Sequence, residues 1–368
     1  MIYLDYQATT PLAPEARAAM LPWLGEDGFA NPHSPHKPGR AAAAAVEAAR
    51  VRIQAADPAL AHGTLAFTSG ATEAINWALK SVIAAGPRRR IVTIATEHAC
   101  TLDTAQALAA AGADVVILPV HRDGRVDLTA AAATIDDRTA IVAAMLVNNE
   151  IGTIQPVADL AALAYAAGAL FLCDAVQGYG RVPLPAADLI ALSAHKIHGP
   201  KGIGALWIRG GLTLAPLLHG GGQEYGIRSG TLSPMLCAGF GAAATVAAAR
   251  RDDDAAHVAA LADCLRRALP DWTVNGSTDH RYPGNLSLRR DGVDAARLIS
   301  ELRDIAFSAG SACASGSGRP SHVLRAIGLT DAQARSTIRL GFGRDTTAAD
   351  IATAAARITA AADRMTHP

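Results

Sequence analysis

The sequence contains no Cys-x-x-Cys pair, and its five cysteines, at positions 100, 173, 237, 264 and 313, are scattered and odd in number. That pattern excludes a disulfide framework and a structural zinc site, so no metal is expected and a reducing compartment fits. Charge of one sign is lacking as well. Lys plus Arg and Asp plus Glu each total 33, which removes the electrostatic reason to expect nucleic acid or an anionic membrane as the main partner. The opening Met-Ile-Tyr-Leu-Asp-Tyr has neither the basic region nor the apolar core of a signal peptide. The longest uncharged stretch, Ser229 to Ala249, is broken by Pro234 and by Gly, Ser and Thr residues. It reads as a loop followed by a buried helix rather than a membrane span. No internal repeat is visible. The expectation is a cytoplasmic protein whose partners are small molecules or other proteins.

What is present is a large apolar content: half of the 368 residues are hydrophobic and 18% are charged. The length suits one large and one smaller domain. Apolar strand-like runs at Thr64–Phe67, Ile91–Ala95, Val115–Leu118, Ile141–Val147, Ala169–Cys173, Leu189–Leu192 and Gly204–Ile208 alternate with Ala-rich helical stretches. This alternation predicts an α/β fold with a mostly parallel sheet and helices on both faces. The charged run Arg250 to Asp254 marks the approach to a second unit, a small α+β domain. It would hold a strand near Asn285–Leu288, a helix from Asp294, a loop over Ser308–Gly318, a helix after Ser321 and a strand at Thr337–Gly341. The expected division is an N-terminal segment (1–14) packing near the active site and the small domain, a large domain (15–250) and a small domain (251–368).

Ligands of parallel α/β sheets bind beyond the carboxyl ends of the strands, and the chemically loaded segments lie there. Thr-Ser-Gly-Ala-Thr-Glu follows the first run, Thr-Glu-His the second, Asn-Asn-Glu the fourth, Asp-Ala-Val-Gln the fifth and Ser-Ala-His-Lys the sixth. The last of these delivers Lys196 from an apolar strand into a Gly-rich loop. A lysine amine becomes nucleophilic where poor hydration suppresses its charge, so Lys196 is a candidate Schiff-base lysine. Lys201, five residues on, reads as an ordinary loop or surface lysine.

The other segments supply what such a lysine needs. Thr68 to Asn76 runs from a strand through glycine into a helix, whose N-terminus leaves Ala71 and Thr72 placed to hold a phosphate unless Ser69 or Thr72 caps it. Asp174 ends an apolar strand and wants a cation, either a pyridinium nitrogen or an arginine such as Arg181. Gln177 can reach the same ligand. His98 offers a ring that stacks and shuttles protons near neutral pH. A phosphate cradle, an acid, a flat ring and a lysine are together the requirements of pyridoxal 5'-phosphate.

Several motifs now carry a family resemblance: Asp-Tyr-Gln-Ala-Thr-Thr (5–10), Thr-Ser-Gly-Ala-Thr-Glu (68–73), Asn-Asn-Glu-Ile-Gly-Thr (148–153), Ser-Ala-His-Lys-Ile-His-Gly-Pro-Lys-Gly (193–202), Arg-Ser-Gly-Thr (228–231) and Ser-Ala-Cys (311–313). In this order the chain resembles the cysteine desulfurases of the NifS/IscS type, within the class V aminotransferase group of fold type I enzymes. The resemblance covers nearly the whole chain. It implies that Lys196 carries pyridoxal phosphate, Asp174 pairs with the pyridine nitrogen, Gln177 and Asn148 contact the ring, and His98 stacks on it. It further implies a phosphate held by Ala71, Thr72, Ser193 and His195, with Thr231 reaching the neighbouring subunit of a homodimer. Arg339 would clamp the substrate carboxylate, and Asn148 would also contact the substrate.

Cys313 selects the reaction. It lies among small polar residues and glycines, Phe307 to Pro320, unlike Cys173 and Cys237 in their apolar surroundings. By resemblance it is the nucleophile that takes sulfur from L-cysteine as a persulfide and leaves alanine, with His98 and Lys196 moving protons. The span from Cys313 to Pro320 matches the longer loop of the NifS/IscS branch. The sulfur would pass to an acceptor protein, an iron-sulfur scaffold or a tRNA-thiolation carrier. Two positions depart from the family pattern: Tyr225 replaces the arginine of Gly-Gly-Gly-Gln-Glu-Arg-Gly, and Gln7 stands where Asn is common. The alternatives are a selenocysteine lyase, a small-amino-acid aminotransferase and a non-catalytic sulfur-relay protein.

Overall fold

A computed structural model describes residues 1–26, 28–310 and 321–366. In chain order its strands are β1 (Ile2–Tyr3), β2 (Gly63–Thr68), β3 (Arg90–Ile94), β4 (Asp114–Leu118), β5 (Thr139–Met145) and β6 (Leu170–Asp174). They continue with β7 (Leu189–Ser193), β8 (Gly204–Arg209), β9 (Thr273–Asn275), β10 (Asn285–Arg289), β11 (Ile305–Ala306) and β12 (Thr337–Gly341). Seven of them form one sheet in the order β2-β8-β7-β6-β5-β3-β4. Its neighbours are parallel except β8, which runs antiparallel to both β2 and β7.

The apolar runs are continuous because both faces of this sheet are covered. Successive side chains of a strand point to opposite faces. Ile141 accordingly joins a core with Ile75, Trp77 and Leu79 of the helix Ala71–Ala85, while Val142 joins the opposite core with Ile53 and Phe240 of the helices Lys37–Ala55 and Pro234–Ala249. The expected runs all appear as strands, with ends shifted by one or two residues. Chain connections turn outward in opposite directions from β3 and β5, so the carboxyl ends of these two strands flank the switch point where such sheets bind ligands.

The rest of the chain builds the other side of the site. Strands β12, β10 and β9 form an antiparallel sheet in which Arg339 lies opposite Ser287. The strand expected near Asn285 and the helices expected after Asp294 and Ser321 are present, the helices capped by those two side chains. A helix at Ala348–Thr366 adds to the elements expected and packs on the helix Arg251–Ala268. The first residues return across the molecule: β1 pairs in parallel with β11, and Asp5 bridges to Gly341. The loop expected over Ser308–Gly318 falls mostly outside the described residues, and Cys313 with it.

Candidate active site

Strand β7 is buried along its whole length and ends in a tight turn, Ala194–Lys196, that carries the lysine out of the sheet. The amine donates to two backbone carbonyls of the N-terminal segment, Gln7 O at 2.6 Å and Ala8 O at 2.8 Å. Burial pushes the amine down to about 8 from its ordinary 10.5, and the positive charges of Arg181 and Arg339 add to that. The suppression of charge expected of a nucleophilic lysine is therefore built into the fold.

The turn between β2 and the helix Ala71–Ala85 places helix N–H groups beside the lysine. Its N-cap is Gly70, and no side chain caps the helix, so the competing role for Ser69 and Thr72 is not realised. The first N–H groups of a helix lack internal partners and bind anions. Gly204 lets the turn come close: a Cβ there would stand 2.5 Å from Leu192 O and 2.7 Å from the carbonyl carbon of Gly70. The backbone N–H of Ser69 donates to Glu73 Oε2 at 2.7 Å, and Glu73 is held in turn by Arg228 at 2.7 Å.

Asp174, at the end of β6, is buried, and one carboxylate oxygen accepts the N–H of Val176 at 2.9 Å. No cation pairs with it among the described residues: the Arg181 guanidinium instead donates to Gln177 Oε1 and to Lys196 O, both at 2.6 Å. Burial raises the Asp174 carboxyl above its usual range, against the opposing influence of the Val176 N–H, His98 and Lys196. His98 is the N-cap of the helix Ala99–Ala110, and its Nδ1 accepts from the N–H of Cys100 at 3.1 Å. That bond leaves the proton of the neutral ring on Nε2. Burial pushes the imidazole down, Asp174 opposes this and Lys196 reinforces it.

One cavity of about 380 Å³ brings these groups together. Ala71, Thr72, Ser193 and His195 line it, and so do His98, Asp174, Gln177, Lys196 and Arg339. His195 Nδ1 lies 3.2 Å from Thr9 Oγ1, and burial followed by the charge of Lys196 holds its imidazole down at about 4. Arg339 is 1% exposed; it donates to Asp5 Oδ1 at 2.8 Å and to Asn149 O at 2.9 Å, while its Nε has no partner among the described residues. The arginine thus lines the cavity while held by a structural salt bridge.

Asn148 and Thr231 lie outside this cavity. Asn148 Nδ2 donates to Thr96 O at 2.8 Å and its Oδ1 accepts from the N–H groups of Glu150 and Ile151, so its side chain is spent on the backbone. The neighbouring Asn149 lines the cavity in its place. Thr231 is exposed and outside the cavity of its own chain. Cys313 lies outside the described residues. Lys201, expected to be an ordinary loop lysine, is exposed and sits on the cavity wall. Two further contributors, the carbonyls of Gln7 and Ala8, are backbone groups that side-chain chemistry could not announce.

A mostly parallel sheet that delivers a buried lysine, an unpaired carboxylate and an uncapped helix N-terminus to one cavity defines a class: this is the architecture of the fold type I pyridoxal phosphate enzymes. The aminotransferase class-V family matches residues 2–353, and the chain belongs to that family. It is 44% identical to the mitochondrial cysteine desulfurase of Eremothecium gossypii over 95% of this chain and 74% of that protein. It is 42% identical to the cysteine desulfurase IscS of Rickettsia bellii over 95% of this chain and 88% of that one. A solved NifS-like protein superimposes with a TM-score of 0.89 at 31% identity, covering 97% of this chain and 98% of the other.

Enzymes of this family generally depend on pyridoxal phosphate, and the residues present fit that group. The cavity has the volume of a small-molecule site. It offers an open helix N-terminus to a phosphate, a carboxylate without a cation to a pyridine nitrogen, and an amine of lowered basicity to an aldehyde. No group of three or more potential metal ligands occurs among the described residues, and no described helix is long and apolar enough to cross a membrane.

Proposed function

We propose that this chain is a pyridoxal phosphate-dependent cysteine desulfurase, converting L-cysteine to L-alanine and passing the sulfur through a persulfide on Cys313 to an acceptor protein. The observation that supports it most is the meeting of Lys196, Asp174 and the helix N-terminus at Ala71 in one cavity, in a chain whose relatives bear that name. When bound, pyridoxal phosphate supplies an aldehyde that joins the amino acid and a ring that draws electrons from its α-carbon.

The residues of the chain do the rest. Ala71 and Thr72 N–H groups, with Ser193 and His195, hold the phosphate. Asp174 would stay ionised by pairing with the pyridine nitrogen, and Gln177 and His98 would hold the ring. Asn149, in the place first given to Asn148, serves as the polar contact on the far wall. Arg339 receives the substrate carboxylate. The Lys196 amine, its basicity lowered by burial to about 8, takes the α-proton in its neutral form. The Cys313 thiolate then attacks the substrate sulfur. An S–S bond forms as the Cβ–S bond breaks, and proton return from Lys196 or His98 leaves alanine.

The N-terminal segment (1–14), large domain (15–250) and small domain (251–368) enclose the site between them. Thr231 completes the phosphate site of a second copy in a homodimer. The sulfur acceptor is an iron-sulfur scaffold or a tRNA-thiolation carrier in the cytoplasm. The test is Cys313→Ser: the purified variant should keep the yellow colour of lysine-bound cofactor and lose release of sulfide and alanine from L-cysteine under reductant. Undiminished sulfide release would overturn the persulfide route and leave an aminotransferase-like or thiol-independent lyase reading.

A further inference from the structure

Arg181 lies outside the group of residues to which the proposed chemistry gives a role, yet it binds two members of that group at once. Its Nη1 donates to Gln177 Oε1 at 2.6 Å and its Nη2 to Lys196 O at 2.6 Å, with a longer contact to Gln177 O at 3.4 Å. A guanidinium only donates, so the atom of Gln177 facing it must be the amide oxygen. That fixes the other end. Gln177 Nε2 donates to Gln7 O at 2.9 Å, and the same carbonyl accepts from the Lys196 amine at 2.6 Å. The four residues close a ring of hydrogen bonds: Arg181 to Gln177, Gln177 to Gln7, Lys196 to Gln7, and Arg181 back to Lys196.

The charge of Arg181 is not offset within this ring. Its hydrogen-bond partners among the described residues are neutral oxygens, and its guanidinium stacks over the buried ring of Tyr282 at 5.1 Å. Arg339, the other cation near the lysine, is balanced by its salt bridge to Asp5. Among the described residues, the other charged or titratable groups lining a cavity with Lys196 are Asp174 at the end of β6, His98 and Cys100 at the start of the helix Ala99–Ala110, and His195 and Lys201 near it in sequence, with Tyr6, His198, Arg251, Asp254, Tyr282 and Arg344 on its other side.

We propose that Arg181 is the positioning residue of this site: one guanidinium locks the Gln177 amide and the Lys196 backbone in place and sets an uncompensated positive charge beside the lysine amine. The inference rests on Lys196 being the cofactor-bearing lysine. After burial, Arg181 is the largest influence lowering the basicity of that amine. Removing the charge should therefore make the amine more basic and leave less of it neutral at physiological pH.

The experiment reads the amine directly on the full chain stripped of cofactor, so it does not depend on turnover. Labelling of Lys196 by acetic anhydride, quantified by peptide mass spectrometry from pH 6 to 11, gives the midpoint for wild type, Arg181→Gln, Arg181→Met and Arg181→Lys. A like charge at close range shifts a neighbour by about one unit. The Gln and Met variants should therefore rise by about that much, with roughly tenfold less labelling at neutral pH. Arg181→Lys, which keeps the charge, should stay near wild type. Use of two neutral variants keeps a reading if one fails to fold. Midpoints of Gln or Met equal to wild type overturn the proposal, and so does a rise of the same size in Arg181→Lys. A purely structural role moves melting temperature and not this midpoint. Failure of the cysteine desulfurase reading would appear instead as an absent turnover in wild type with the labelling result intact.

Discussion

The amine of Lys196 and the carbonyl of Gln7 meet at 2.6 Å although 189 positions separate them in the chain. The lysine is thus held from two directions, by the sheet that carries it and by a segment that returns from the start of the chain. Gln7 itself is buried and anchored, its Nε2 donating to Gly284 O at 2.9 Å.

Gly341 sets how close that segment can come. A Cβ at this position would stand 1.5 Å from Gln7 Oε1, so Gly341→Ala must displace the Gln7 side chain or its backbone. The expected cost is about 1–3 kcal/mol in urea unfolding, the range of overpacked sites. Turnover should fall further than the population of folded protein explains, because the Lys196 contact moves with it. Wild-type stability in Gly341→Ala would show that the segment yields without strain.

Lys196 gives the pH prediction. Its folded value of about 8 lies below the ordinary 10.5, so the fold favours the neutral amine. Burying it costs stability below pH 8, and that cost fades as pH rises from 8 toward 10.5. For the same reason, capture of pyridoxal phosphate by the stripped protein should speed up about tenfold per unit below pH 8 and level off above it. Stopped-flow absorbance measures the rate. Lys196→Ala should show no lysine-bound yellow species and no turnover at any pH.

Asp174 faces the cavity with a single hydrogen bond, from Val176. Replacing it by Asn removes the charge that a pyridine nitrogen would pair with while keeping size. A charge-assisted hydrogen bond contributes about 1.5–3 kcal/mol, so Asp174→Asn should lower kcat by roughly 10- to 100-fold, and the absorbance of bound cofactor should persist. Unchanged kcat would mean that another group neutralises the ring.

Glu224 and Arg50 form an ion pair at 2.8 Å with side chains 2% and 6% exposed. Glu224 Oε2 also accepts the N–H of Phe67 at 2.6 Å, at the end of the strand that leads into the phosphate turn. Glu224→Gln leaves Arg50 without its full partner in a dry site, which costs about 3–5 kcal/mol in such pairs. Equilibrium denaturation reads this, and a loss below 1 kcal/mol would indicate that Glu47, at 3.1 Å from Arg50, takes over.

Much of this site is legible in the chain because buried strands write themselves as apolar runs and place chemistry at their ends. Ser193 to Lys196 and Phe171 to Asp174 are of that kind. What sequence periodicity misses has local causes. Strands β1, β9 and β11 have two or three residues, too few to show alternation. In the turn after β5 the regular two-residue period no longer applies, and nothing in the pair Asn148-Asn149 says which side chain faces inward; the backbone bonds of Asn148 decide it. Arg181 reads as a possible partner for Asp174, and only the fold shows it bound to Gln177 and Lys196 instead. The signal that could have found Asn149 is its place in the same Asn-Asn-Glu motif.

The return of the N-terminal segment has a consequence for biosynthesis. Asp5 bonds to Arg339 across 334 positions, and Ile2 pairs with Ile305. The earlier partner of each pair must wait while the intervening residues are made. The sheet that carries Lys196 can assemble well before its second set of contacts exists. A nascent chain is therefore expected to hold a folded but open pocket until β12 leaves the ribosome, which makes completion of the site a late event.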